Sequence, residues 1–85
     1  MAWTLLVARR AEKQLRGFPA RDQERVVAAL QAMKQDPFSG DIVRLRSQPT
    51  AWRRRVGNYR IFFDVYPNQV LIEVLEIRRR TSTTY

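Results

Sequence analysis

The chain contains no cysteine and no histidine. The first absence excludes disulfides, a thiol nucleophile and thiolate metal sites. The second removes the side chain most used for proton transfer near neutral pH, and with it the commonest zinc ligand. Catalysis, if there is any, must draw on Arg, Lys, Tyr, Asp or Glu. Glycine is also scarce, with 3 in 85 residues, and no Gly-rich strand-to-helix turn is present to cradle a phosphate. The N-terminal apolar run from Trp3 to Val7 is too short for a signal-peptide core, and no stretch could span a bilayer. No cofactor, metal or membrane partner is expected, and the expected location is the cytoplasm. Acidic residues are few: 8 Asp and Glu stand against 16 Lys and Arg, a net charge of +8. That excess suits a nucleic acid or an acidic protein. Most of the basic residues are Arg, whose planar fork matches phosphate and carboxylate better than Lys does.

What is present fits one domain over residues 1–85, with residues 79–85 as a tail. A chain of this length buries only about 60–65% of its unfolded surface, so the core is modest. At 45% hydrophobic and 11% aromatic it still falls in the folded class.

The most informative segment runs from Trp52 to Phe63. Gly57-Asn58 reads as a two-residue hairpin turn. The pairing is then Val56 with Tyr59, Arg55 with Arg60, Arg54 with Ile61, Arg53 with Phe62 and Trp52 with Phe63. Alternation sends Arg53, Arg55, Arg60 and Phe62 to one face, and Trp52, Val56, Tyr59, Ile61 and Phe63 to the other. Like charges directly opposite one another destabilise a sheet. An anionic partner is the simplest reason to set Arg55 against Arg60; a solvated basic face is the plain alternative.

Around this hairpin the pattern predicts a strand at Trp3–Val7 and a helix at Ala8–Arg16, with Ala8, Ala11, Leu15 and Phe18 on one side. Gly17 ends that helix, and Pro19 opens a second over Ala20–Gln35 with the stripe Val26, Val27, Leu30 and Met33. Asp36-Pro37 stops it. Ile42–Leu45 is a short extended segment. Strands follow at Ala51–Val56, Tyr59–Tyr66 and Gln69–Arg78, the last two joined by a turn at Pro67-Asn68. In that register Val65 faces Val70, Phe63 faces Ile72, Ile61 faces Val74, Asp64 faces Leu71, Phe62 faces Glu73 and Arg60 faces Leu75. The fold class is α+β: a two-helix hairpin on one face of a small, mostly antiparallel twisted sheet, in the order βααβββ.

The candidate site is the open face. Arg53, Arg55 and Arg60 form a guanidinium triangle able to hold a phosphodiester and stabilise charge growing on it. Arg54 points to the helix side and is expected to snorkel to water, though as part of the basic run it counts among the RNA contacts. Arg78, Arg79 and Arg80 end the last strand. Alternation favours Arg79 for the pocket, with Arg80 open as well and Arg78 as a further RNA contact. Phe62 is placed to stack on a base, and Tyr85 to act as acid, base or stacking platform. Glu73 and Asp64 are expected to pair with arginines rather than to act as bases. Trp3 and Trp52 are expected in the core.

The arrangement resembles the RelE/ParE toxin superfamily of type II toxin–antitoxin systems over nearly the whole chain. The carriers are the early aromatic, the helix pair, Asp36-Pro37-Phe38-Ser39-Gly40-Asp41, the Leu45-Arg46-x-x-Pro49 loop, the Trp52–Val65 core and a late arginine and tyrosine. The string R-x-R-V-G-x-Y-R, from Arg53 to Arg60, is the specific part and lies nearer the RelE branch. The resemblance implies a ribosome-dependent mRNA endonuclease that cleaves by 2′-hydroxyl attack. It implies catalytic roles for Arg53, Arg55, Arg60, Arg79 or Arg80, and Tyr85. It also implies an acidic antitoxin as partner, through which the complex binds operator DNA, with the ribosome and mRNA as targets. Two departures stand out. The best-known RelE branch has lysines where this chain has Arg53 and Arg55, and arginine, protonated to above about pH 12, is a poor general base. Some homologues also carry a histidine just before the late arginine, absent here. The competing readings are a ParE-like inhibitor of DNA gyrase and a non-catalytic nucleic-acid-binding module.

Overall fold

The structure is a computed structural model and describes residues 2–80. Strand β1 (Thr4–Val7) leads into helix α1 (Arg9–Arg16) and helix α2 (Ala20–Gln35). Four strands follow: β2 (Asp41–Arg44), β3 (Trp52–Val56), β4 (Tyr59–Tyr66) and β5 (Leu71–Arg79). They form one sheet in the order β1-β5-β4-β3-β2. Only the β1–β5 pair is parallel: the helical hairpin carries the chain from β1 to β2 at the opposite edge, and β3 and β4 lead back to β5. The α+β class expected from the sequence therefore holds, with the 42–45 segment recruited as an edge strand.

Neither helix has a side-chain N-cap bond, and both lean on charge instead. Glu12 sits in the first turn of α1 and Lys13 and Arg16 in the last, which complements the helix dipole. The α2 stripe is Val26, Ala29, Leu30 and Met33, all buried. Val27, expected in that stripe, is 41% exposed, and Ala29 takes its place. These residues lie against Ile61, Phe63, Ile72, Val74 and Ile77, each at most 1% exposed. Full burial of each such side chain is worth about 1.5–3 kcal/mol, so this layer fixes which face of the sheet is covered. Trp3 and Trp52 pack at the margin of the core rather than inside it.

The first hairpin has the expected register in all five pairs, with Gly57 at φ 57 in its turn. The second does not. A 3-10 turn (Pro67–Gln69) and Val70 in the left-handed region, φ 50, extend the connection, so Val65 pairs with Ile72 and Tyr66 with Leu71. Val70 is exposed instead of facing Val65. Farther along, the register slips again between Phe62 and Phe63: Phe63 pairs with Val74 but Phe62 with Glu76, leaving Leu75 as a bulge. The slip inverts the facing of everything after it. Ile77 turns into the core opposite Ile61, and Arg78 turns outward opposite Arg60.

Candidate nucleic-acid interface

The face of the sheet away from the helices carries two cross-strand rows. One reads Asp41, Arg55, Arg60, Arg78 across β2, β3, β4 and β5. The next reads Val43, Arg53, Phe62, Glu76. The first row puts Arg60 between two other arginines. Each opposed like-charged pair costs on the order of 0.2–1 kcal/mol. The compensation from Asp41 is small: its carboxylate is 4.0 Å from Arg55 Nε and both side chains are more than half exposed.

Arg60 is the half-buried centre of this cluster. Its pKa is lowered first by burial and then by the positive charges of Arg53, Arg80 and Arg55, with Asp41 opposing weakly. A guanidinium stays protonated in spite of such a shift, so the site holds concentrated positive charge. Arg80 belongs to it because its backbone N–H donates to the Asn58 carbonyl at 2.6 Å, which holds the end of β5 against the first hairpin's turn. Arg53 is half-buried, and its Nε is buried without a partner. Among the described residues Arg53, Arg60 and Arg80 form no ion pair.

Arg78 is held differently. Its Nε donates to Glu76 Oε2, which also takes Arg10 Nη2 at 3.3 Å, and its guanidinium lies 5.5 Å from the centroid of the Phe62 ring. The Arg78 bond is the chief reason that the Glu76 carboxyl titrates below the usual range; burial acts in the opposite sense. Phe62, Leu75, Glu76 and Arg78 line a pocket of about 400 Å³, closed on the other side by Arg10 and Pro49.

Two of the expected site residues face elsewhere. Arg54 lies on the helix side, half-buried, and part of its guanidinium is bound within the protein. Its Nη1 donates to the Ala29 carbonyl at 3.3 Å and to Ser39 Oγ at 3.2 Å. Its guanidinium is packed so closely on Gly40 that a Cβ there would fall 2.9 Å from its central carbon. Burial lowers its pKa. Arg54 is thus a clamp between α2, the 36–40 loop and β3, and it is removed from the RNA contacts. Arg79, which strict alternation put on the open face, pairs with Tyr59 and lies at a cleft beside Lys13 and Gly17. The bulge is the cause: Arg78 takes the place given to Arg79. Tyr85 lies outside the described residues.

The carboxylates also differ from expectation. Asp64 Oδ1 accepts the Ala51 N–H at 2.6 Å, and Glu73 accepts the Tyr66 hydroxyl at 3.2 Å; neither pairs with an arginine. The acids beside the arginine row that do are Asp41, loosely, and Glu76, which sequence reasoning missed. The signal was there: apolar residues at 72, 74 and 77 break a period of two by one residue, which marks a bulge. Behind the site, the buried Tyr59 hydroxyl donates to Asp22 Oδ2 at 2.6 Å and fastens the hairpin to the start of α2. Burial, then the bond to Asp22, raises the Tyr59 pKa. No cluster of His, Cys, Asp and Glu able to hold a metal occurs among the described residues. No helix among them is long and apolar enough to cross a membrane.

A family model described as the ParE toxin of the type II toxin–antitoxin system parDE matches residues 5–83. The chain belongs to this toxin family. No curated protein matches it by sequence. Among solved structures, the RelE of the archaeal RelE–RelB complex from Pyrococcus horikoshii OT3 superposes with a TM-score of 0.82 at 19% identity, over 98% of this chain and 100% of that one. The toxin–antitoxin complex RelBE2 from Mycobacterium tuberculosis gives 0.82 at 20% identity, over 94% and 93%. The isolated Escherichia coli RelE toxin gives 0.78 at 20% identity, over 96% and 88%. The family match and the shared fold place this toxin in the RelE/ParE superfamily expected from the Arg53–Arg60 string. These three solved structures contain RelE toxins, whereas the family model is that of ParE.

Proposed function

We propose that this toxin is a ribosome-dependent mRNA endonuclease, and that its sheet face grips a ribose-phosphate link. The observation that carries the reading is Arg60: half-buried, surrounded by the charges of Arg53, Arg55 and Arg80, and faced by Arg78 on the neighbouring strand. A domain of this size tolerates that repulsion most simply if an anion relieves it. Arg60 and Arg53 would bracket the non-bridging oxygens, while Arg55, at the open end of the row, steers the strand inward. The concentrated positive charge favours ionisation of the adjacent 2′-hydroxyl, whose proton passes to water. Its oxygen attacks phosphorus, the 5′-oxygen leaves, and a 2′,3′-cyclic phosphate and a 5′-hydroxyl result. Fixed guanidinium donors stabilise the extra charge of the five-coordinate transition state. Tyr85 is assigned the proton donated to the leaving oxygen. The partner in the cell is an acidic antitoxin, whose charge complements +8.

The test is primer extension on mRNA in a reconstituted translation system. Wild-type protein is expected to give discrete cuts on translated message, and Arg60→Ala none, with unchanged circular dichroism. Cutting by a folded Arg60→Ala protein would remove the cluster from the chemistry. The match to the ParE model favours one second reading, inhibition of DNA gyrase without RNA cleavage. Loss of supercoiling activity on plasmid DNA, with intact mRNA, would select it.

A further inference from the structure

The arginines of the open face are held in two different ways. Arg53 and Arg60 are half-buried, so packing fixes them, and neither forms an ion pair among the described residues. The Arg78 side chain is 61% exposed, and an arginine that exposed ordinarily samples many rotamers. Here it is fastened twice. Its Nε donates to Glu76 Oε2, and its guanidinium lies 5.5 Å from the centroid of the Phe62 ring. Glu76 is itself well fixed: its side chain is 17% exposed, and the same oxygen takes Arg10 Nη2 from α1 at 3.3 Å. The bulge at Leu75 makes this possible. It turns Glu76 outward opposite Phe62 and puts Arg78, two residues on, opposite Arg60 on the same face.

A carboxylate at this place has a cost, because it repels the phosphate that the neighbouring arginines attract. Charge alone does not explain the acid; order does. We propose that Glu76 is a positioning residue, which fixes the Arg78 guanidinium so that Arg78 and Arg60 grip the scissile phosphate together. The proposal rests on the nuclease reading and adds to it the group that orders an exposed arginine. Glu76 occupies only the Nε hydrogen of Arg78. The hydrogens on its two Nη atoms have no partner among the described residues, and they form the planar end of the fork that matches two phosphate oxygens. The Phe62 ring limits rotation of that plane. Donors fixed in advance need no reorganisation when charge grows on the phosphate, which is where rate is gained. Glu76 touches no substrate in this scheme. Arg10 belongs to its support, as a cation that is itself 69% exposed.

The test is Glu76→Met, which keeps the length of the stem and removes both the acceptor and the charge. Electrostatics and order give it opposite signs. Losing an anion strengthens attraction for RNA, whereas releasing Arg78 slows the chemical step. Single-turnover cleavage on programmed ribosomes, run over a range of toxin concentrations, separates the two. The maximal rate is expected to fall about ten- to a hundredfold, with half-saturation unchanged or lower. A maximal rate within about twofold of wild type overturns the proposal, and so does a loss confined to half-saturation. Arg10→Ala, which leaves the Arg78 bond in place, is expected to change the rate less than about threefold, as suits an exposed pair. An effect equal to that of Glu76→Met means that the acid serves α1 instead of Arg78, and overturns the proposal too. A second readout does not depend on cleavage. In NMR spectra of isotopically labelled protein, the Arg78 Nε–H is expected to be rigid in wild type and mobile in Glu76→Met. Inorganic phosphate is expected to shift Arg60 and Arg78 together in wild type, and Arg60 alone in the variant. Shifts at Arg60 alone in wild type overturn the positioning role. Joint shifts in a wild-type protein that cuts no message leave that role and remove the nuclease. If Glu76→Met fails to fold, Phe62→Leu replaces it, with the same loss of Arg78 order and of maximal rate expected.

Discussion

Two neighbouring strands carry two arginines that face opposite ways, and their surroundings could hardly differ more. Arg54, on the helix side, gives its hydrogens to a carbonyl and a hydroxyl and fills the space above Gly40. Arg60, on the open side, is ringed by Arg53, Arg55 and Arg80 and has no acid of its own among the described residues. One guanidinium is consumed by the fold and the other is held back from it. A half-buried cation that the protein leaves unmatched is waiting for a ligand, whereas one with neutral acceptors is a strut. Alternation along adjacent strands puts the two on opposite faces, but it does not say which of them the fold consumes.

The comparison breaks most sharply on Arg60. Replacing it by Met keeps the buried stem and removes the charge. Cleavage, or binding of single-stranded RNA, is expected to fall at least about a hundredfold, the scale of losing one transition-state donor. The protein itself is expected to gain up to about 1 kcal/mol, because two opposed like-charged pairs disappear, raising Tm by a few degrees in a thermal scan. A variant that loses both activity and stability would make Arg60 a strut like Arg54.

Arg54→Ala should give the mirror result. Two hydrogen bonds and the packing over Gly40 are lost, and the Ala29 carbonyl and Ser39 hydroxyl lose their partner. Destabilisation of about 2–3 kcal/mol in urea unfolding is expected, with the activity of the folded fraction retained. Gly40→Ala should resemble it. Gly40 sits at φ 84, and the new Cβ would meet the Arg54 guanidinium at 2.9 Å. If both variants are as stable as wild type, the clamp is not one.

How far the sequence reached follows the same division. The first hairpin was readable because Gly57-Asn58 fixes a register and the core residues Tyr59, Ile61 and Phe63 confirm it by burial. Arg53, Arg55, Arg60 and Phe62 were therefore placed on their true face. The second hairpin was not, because Pro67-Asn68 does not dictate a two-residue turn and Val70 is forced out of the strand. Arg79 was placed on the wrong face because alternation was carried through Leu75. The spacing of Val74 and Ile77 shows that burial, not alternation, decides where a strand must skip a residue. Glu76, the acid nearest the arginines, was lost in the same step.

Tyr59 offers a smaller test of how the arginine strands are supported. Tyr59→Phe removes the bond to Asp22 and is expected to cost about 1 kcal/mol, without a change in cleavage by the folded protein. Its pH signature has a definite sign. The folded pKa lies above the unfolded value of 10.0, so the stabilisation is complete below about pH 10 and fades as pH rises through the folded pKa. Urea midpoints measured from pH 8 to 11 should fall less steeply for Tyr59→Phe than for wild type. Parallel curves would mean that Tyr59 adds nothing to the alkaline limb.

Val70 supplies the last and smallest contrast. It is a second place where the chain sits in an unfavourable state, a β-branched residue at φ 50, and it is 37% exposed. Left-handed backbone costs a non-glycine residue about 1–2 kcal/mol, more for a β-branched one, while glycine adopts it freely. Val70→Gly gives back part of this relief through the looser unfolded chain, so a net gain of about 0.5–1 kcal/mol is expected. The turn lies beyond the Tyr66–Leu71 pair, at the opposite end of β4 from Arg60. Cleavage should therefore not change. The two frustrations then separate by their effect: relieving the charge at Arg60 stabilises the domain and ends its activity, while relieving the backbone at Val70 stabilises it at no functional cost. If Val70→Gly also lowered cleavage, the strain of that turn would be coupled to the arginine face through β4, and the two ends of the hairpin would have to be treated as one site.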